Sequence, residues 1–159
     1  MQGDRTLLLE TAGPHAGSAR AAVERFAELV KTPEEMHTWR LSALSLWNAA
    51  SAGVNADAVV AALEKWSRYP LPPAVPAWIR DTLSRYGRLR LLAEPTGKGL
   101  VLEADSPQLL GWVRGQATLA GLLGASSSPR AVLVDSAHRG LVKQALIALG
   151  WPVVDEAGF

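Results

Sequence analysis

The chain has no cysteine, so disulfide bonding and cysteine-ligated zinc are both excluded. The lack of thiols fits a reducing compartment, and a cytoplasmic location is the expectation. Histidine is scarce as well, with three residues, His15, His37 and His138, scattered along the sequence. That spacing lacks the clustering a metal site needs, so no metal is expected. Long apolar runs are missing: nothing approaches the roughly eighteen residues that span a bilayer, and the start, MQGDRTLLLETAG, is too short in apolar residues for a signal peptide. No membrane partner is expected. Charge of one sign is also lacking, because 16 Lys and Arg face 15 Asp and Glu, for a net +1 in 159 residues. Without a global field to attract nucleic acid, any such binding must come from a local patch. What is present is apolar content, 48 % of residues, enough for a packed core.

The apolar pattern divides into short elements. Thr6 to Glu10 reads as a buried strand, and Ser18 to Lys31 as an amphipathic helix with Ala22, Val23, Phe26, Ala27 and Val30 inward. Thr32-Pro33-Glu34-Glu35 has the cap, first-position proline and acid that start a further short helix. Ser42 to Ala52 carries Leu44, Leu46 and Trp47 and stops at Gly53, after which Asn55 caps a helix with Val59, Val60, Leu63 and Trp66 on one face. Tyr69-Pro70-Leu71-Pro72-Pro73 cannot continue a helix and serves as a stiff connector. A third helix bears Val75, Trp78, Ile79, Leu83 and Tyr86 and ends at Gly87, where Arg88 to Leu92 alternates as a strand. Glu94 to Gly99 turns a hairpin that returns through Leu100 to Glu103.

Ser106-Pro107 then opens a helix through Leu109, Leu110 and Trp112, and a short helical piece is expected over Gln116 to Leu123. Gly124 to Pro129, GASSSP, reads as a linker. The remainder reads strand, helix, strand: Ala131 to Val134, His138 to Leu149 with Leu141, Val142, Ala145, Leu146 and Leu149 inward, then Pro152 to Val154. Three helices followed by a hairpin, over Thr38 to Glu103, form a winged-helix pattern. The expected fold class is α+β: a winged-helix-like helical core with a β-hairpin wing, flanked by an N-terminal strand-helix and a C-terminal strand-helix-strand unit. The expected division is 1–123 for the first parts and 130–159 for a small subdomain.

Catalytic constellations fare poorly against simpler readings. No G-x-x-x-x-G-K-[ST] occurs, so the backbone nest, lysine and hydroxyl that hold nucleotide phosphates and magnesium are missing from these residues. Val153-Val154-Asp155-Glu156-Ala157 mimics the strand and acid pair that hold a metal in helicases, yet without that loop an exposed acidic pair is the simpler account. Gly97-Lys98-Gly99 suits a hairpin tip better than a phosphate site. Asp135, Ser136 and His138 are the residue types of a hydrolase triad, but neighbours at a helix start cannot converge, and capping explains them. Tryptophans at 39, 47, 66, 78, 112 and 151 could stack on bases, but four fit apolar stripes or element ends, with Trp39 and Trp151 less settled. No catalytic residue and no cofactor is expected.

One charge cluster stands out. From Lys65 to Arg90 the chain carries Lys65, Arg68, Arg80, Arg85, Arg88 and Arg90 against Asp81 alone, a local excess of five in a chain of net +1. Arg80 and Arg85 lie off the Val75, Ile79, Leu83 stripe and should face solvent. With Lys98 at the hairpin tip, these residues are the candidate contacts for DNA phosphates or for a protein partner, and the sequence leaves both open.

Three segments carry a resemblance: HTWRLSALSLWNAASAG (37 to 53), SRYPLPPAVPAWIRDTLSRYGRLRL (67 to 91) and RGLVKQALIALGWPVVDEAGF (139 to 159). In that order and spacing they resemble the N-terminal, pre-motor region of bacterial XPB-type superfamily 2 DNA helicases, over nearly the whole chain. The resemblance implies a region lying before two RecA-like motor domains, whose eukaryotic counterparts work in transcription factor IIH and dock a regulatory subunit. It implies an accessory module of an ATP-dependent helicase of DNA repair and transcription. The implied partners are the helicase motor domains in cis or in trans, a regulatory subunit, and duplex DNA through the basic patch. Because the phosphate-loop motif is missing, the chain itself is expected to be no enzyme, and a piece of a longer helicase rather than a separate paralogue. A protein-docking tether and a standalone winged-helix DNA-binding regulator are the alternatives.

Overall fold

A computed structural model describes residues 1, 5–32, 36–97 and 99–158. The chain forms two compact units, Met1–Ser84 and Arg85–Phe159, each with its own apolar core. The boundary falls just after the third helix of the Thr38–Glu103 stretch, so those helices and the hairpin belong to different units. The fold class is α+β, as expected, with six α-helices and two sheets among the described residues.

In the first unit β1 (Thr6–Glu10), β2 (Glu28–Lys31) and β3 (Met36–Arg40) make an antiparallel sheet in the order β1-β3-β2. Leu7 lies opposite Trp39, and both are buried. Between β1 and β2, α1 spans Ala16–Val23. The helix expected over Ser18 to Lys31 is thus cut short, because Glu28 and Leu29 pair with Arg40 and Trp39 of β3. Helix propensity differs little among Glu, Leu and Lys, and a ladder of backbone hydrogen bonds outweighs it. Val30, expected inward, is exposed. Of the helix expected from Thr32, Pro33 to Glu35 lie outside the described residues, and Met36 onward is strand.

The next three helices follow their local signals. In α2 (Ala43–Ser51) the Ser42 hydroxyl accepts from Ser45 N at 3.0 Å and the Ser45 hydroxyl accepts from Ser42 N at 2.9 Å, a reciprocal cap. Gly53 ends it at φ +89°, a left-handed backbone that glycine adopts without penalty. Asn55 Oδ1 accepts from Ala58 N at 2.8 Å and starts α3 (Ala56–Trp66). After the proline connector comes α4 (Ala74–Ser84), joined to α2 where the Trp47 indole N–H donates to Thr82 O at 2.9 Å. Leu46, Val59 and Ile79, one from each helix, are completely buried together.

The second unit is built on a five-stranded sheet of order β6-β7-β5-β4-β8: β4 Leu89–Ala93, β5 Leu100–Ala104, β6 Leu123–Ser128, β7 Ala131–Val134 and β8 Val154–Asp155. The expected hairpin is β4-β5, with Leu89, Leu91, Leu100, Leu102 and Ala104 turned into the core. It is no free wing, because β7 flanks β5 and β8 flanks β4. Helix α5 (Pro107–Arg114) is capped by Ser106, whose hydroxyl accepts from Leu109 N at 3.2 Å, and α6 spans Arg139–Ala148. Residues 117–122 are turns rather than the expected helical piece. The expected linker, Gly124 to Pro129, is largely strand β6, hydrogen-bonded to β7 with Ser126 opposite Val132. Small polar residues read as a linker when isolated, yet an edge strand tolerates them because its ladder bonds come from backbone.

Candidate functional site

The six described basic candidates fall in both units. In the first, Lys65 sits in the last turn of α3 with its ammonium 4.9 Å from the Trp66 ring centroid. Arg68 donates to both carboxylate oxygens of Glu10 at 2.9 Å, and Arg80, exposed on α4 as expected, is paired with Asp57. In the second, Arg85 donates to Gly150 O at 2.8 Å, Arg88 Nε to Asp105 Oδ2 at 2.8 Å, and Arg90 to Glu156 Oε1 at 2.6 Å. That last hydrogen bond, with the Glu156 charge, holds the Arg90 guanidinium above its ordinary pKa. Lys98 lies outside the described residues. The local excess of charge along the sequence is therefore met in space by acids far away in sequence, Glu10, Asp57, Asp105 and Glu156. These pairs are solvent-exposed, the Arg68 and Glu10 side chains at 66 % and 50 %, and such pairs hold together weakly enough for a phosphate to compete.

The acidic box after α6 is a structural ion cluster. Asp155 Oδ1 and Oδ2 accept from Arg139 Nη2 and Nε at 2.7 and 2.8 Å, a bidentate fork, while Lys143 Nζ and Ala157 N donate at 3.0 and 3.1 Å. The Arg139 fork above all, helped by Lys143 and the Ala157 amide against partial burial, holds the Asp155 carboxyl well below the usual carboxylate range. Both oxygens are occupied by cations of the chain itself, which is the work of a clasp joining α6 to β8. Asp135 likewise caps, its Oδ1 accepting from Ala137 N at 2.9 Å at the 3-10 turn Ser136–His138. Gly97 takes φ +80° in the hairpin turn.

Tryptophan placement is less even than the stripes suggest. Trp39 and Trp47 are buried, Trp66, Trp78 and Trp151 are half-buried, and Trp112 is 40 % exposed. Trp112, expected inward, stands roughly 100° round α5 from the centre of the buried Leu109, Leu110, Val113 stripe, at about 100° per residue. Its ring meets Trp151, at 6.1 Å between centroids, and Arg85 and Arg88 each bring a guanidinium to 5.2 Å from the Trp151 ring. Two arginines of this unit escape a reading based on local charge density: Arg114 donates to Gly124 O at 3.3 Å and Arg130 to Asp105 O at 3.5 Å. The usable signal for Trp112 was its offset from the helix stripe, whereas nothing in the sequence joins Arg130 to Asp105.

The first unit also holds an apolar groove of about 510 Å³, walled by Leu7 and Leu9 of β1, Ala19 of α1, Leu63 and Trp66 of α3, and Tyr69. The Arg68–Glu10 pair lies at the same groove. No helix among the described residues is long and apolar enough to cross a membrane.

A two-unit α+β chain with paired basic residues and a terminal acidic strand matches a known family. Residues 1–128 fit the model of the helicase conserved C-terminal domain, and the chain belongs to that family. Along all 159 residues it is 46 % identical to the DNA 3'-5' helicase XPB of Kineococcus radiotolerans and 44 % identical to that of Mycobacterium tuberculosis. A third relative, the general transcription and DNA repair factor IIH helicase/translocase subunit XPB of Schizosaccharomyces pombe, is 32 % identical over 89 residues, 56 % of this chain and 11 % of that protein. The chain spans 28 % and 29 % of the length of the two bacterial relatives, so it corresponds to a partial region of them. These matches bear out the resemblance to bacterial XPB and correct one expectation. A chain that belongs to a helicase domain family, and whose relatives are helicases over its full length, is part of an enzyme family, and the absence of one nucleotide-binding motif gave no ground for calling it no enzyme.

Proposed function

We propose that this chain works as one part of an XPB-type 3'-5' DNA helicase of repair and transcription, as the module that positions or regulates the motor through DNA. The observation that carries this reading is the unbroken match of all 159 residues, at 46 % identity, to a bacterial DNA 3'-5' helicase. Motor domains, in cis or in trans, are its first partner, and duplex DNA is the ligand of its arginines, of which Arg85 is half-buried rather than facing solvent as expected. The reading goes with a cytoplasmic location. Arg80, Arg85 and Arg88 contact phosphates, which fix position without reading sequence. Because Arg80 and Arg88 must leave Asp57 and Asp105 to do so, affinity is modest and depends on salt. In a titration of the 159-residue chain with duplex DNA, log affinity should fall linearly with log salt. Replacing the three arginines with alanine should reduce that slope by about 0.9 for each phosphate no longer neutralised. Absence of binding at low salt overturns the DNA reading.

A second reading, a docking tether for the motor or a regulatory subunit, is favoured by the apolar groove of the first unit and by the exposure of Leu8 on β1 and Leu29 on β2. Sheet surfaces of this kind supply the apolar centre of a protein interface. Leu8→Glu with Leu29→Glu should then abolish a complex with the motor portion of a bacterial XPB in gel filtration. If the parent chain forms no complex with it, the tether reading fails.

A further inference from the structure

Trp112 is a large apolar ring kept out of the core. Its neighbours on α5, Leu109, Leu110 and Val113, are buried in the second unit, whereas Trp112 is 40 % exposed and leans on Trp151 with ring planes inclined at 49°. An indole in that position forgoes much of the burial that normally stabilises a fold, yet it is held in place by a second indole. Cations gather round the pair. Arg85, anchored on Gly150 O, and Arg88, anchored on Asp105, both lie 5.2 Å from the Trp151 centroid, within cation–π range. Arg130 joins the row through Asp105 O, the residue that also receives Arg88. A carbonyl satisfies a donor without cancelling its charge. Among the described residues Arg130 has no carboxylate partner, unlike Arg68, Arg80, Arg88 and Arg90.

We propose that Trp112, braced by Trp151, is a stacking platform for an unpaired base of single-stranded DNA, with Arg88 and Arg130 holding the neighbouring phosphates. Every base has a π-face, so an indole stacks on any of them, and cations beside it track the backbone. A duplex hides those faces inside its stack and offers only phosphates to the same surface. The guanidinium forks match phosphate oxygens, and that of Arg130 need break no ion pair to do so. The proposal rests on the DNA reading above and adds a second form of DNA, for which Trp112 and Arg130 join Arg88.

Fluorescence anisotropy on the full 159-residue chain tests it, with an oligothymidylate of about a dozen nucleotides, inside the usual range for single-strand sites, and a blunt duplex of equal length. Trp112→Ala should weaken single-strand binding by about five- to 150-fold, the span of one base stack, and change duplex binding by less than about twofold. Trp112→Phe should restore most of that affinity. Arg130→Ala should lower the single-strand salt slope by about 0.7 for each phosphate no longer neutralised. Circular dichroism melts check folding, and because Trp112 lies outside the core its alanine variant should melt close to the parent. Should Trp112→Ala misfold, the Trp112→Phe and Arg130→Ala variants decide. Undiminished single-strand binding by a folded Trp112→Ala, or equal weakening for strand and duplex, overturns the platform. If neither form of DNA binds the parent chain, the DNA reading falls and the platform with it; if duplex binds and only the Trp112 variants are silent, the platform alone falls.

Discussion

Asp155 shows how a motif changes meaning once its partners are placed. In sequence it leads a DEA box; in space its carboxylate receives Arg139, Lys143 and the Ala157 amide. Its folded pKa is lowered, so its contribution to stability is complete above the ordinary carboxylate value near 4 and is lost as the pH falls below it. Asp155→Asn should cost about 2 kcal/mol at neutral pH, the scale of hydrogen bonds to a charged group, because Arg139 and Lys143 are left facing each other. Urea melts at neutral pH and near pH 2 check this: the gap between parent and variant should narrow in acid, as the unfolded chain takes up a proton that the folded Asp155 resists. A constant gap would mean that shape, not charge, makes the clasp. Arg139 and Lys143 were unremarkable in sequence because their partner lies on another element.

Elements differed in how far their own residues fixed them. Helices α2, α3 and α5 begin where Ser42, Asn55 and Ser106 supply an oxygen to a free amide, and that signal is complete within four residues. The strands of the β4-β5 hairpin were equally legible, through alternation on either side of a glycine turn. Strand β2 was not, because Glu28 to Lys31 has helical spacing and becomes strand only by pairing with β3. Strand β6 failed for the opposite reason: LGASSS has almost no apolar side chains to show a period, and its pairing with β7 rests on backbone groups common to every sequence. Among the candidate contacts, exposure of Arg80 followed from the α4 stripe, but its pairing with Asp57 did not, since two helices must pack before those residues meet.

At the scale of the whole molecule the two units have separate apolar cores, Leu46, Val59 and Ile79 in one and Leu91, Leu102, Val132 and Leu146 in the other. Core independence of this kind lets a unit fold alone. A chain of residues 85–159 should therefore give a cooperative thermal transition with a folded circular dichroism spectrum; a featureless melt would show that this unit needs residues 1–84. Ile79→Ala, leaving a cavity in the first core, should cost the first unit about 2–5 kcal/mol in the full chain while leaving the transition of residues 85–159 unaffected, because the cores are separate. The sequence by itself determined the α+β class, the capped helices, the β4-β5 hairpin and the XPB-like family, because caps, periodicity and motif order are written in neighbouring residues. Only the tertiary structure decided that β2 and β6 are strands, that the helices and hairpin divide between two units, which acids neutralise the arginines, and that Trp112 stays at the surface. Each of those depends on groups brought together from distant parts of the chain, where burial and pairing outweigh local preference.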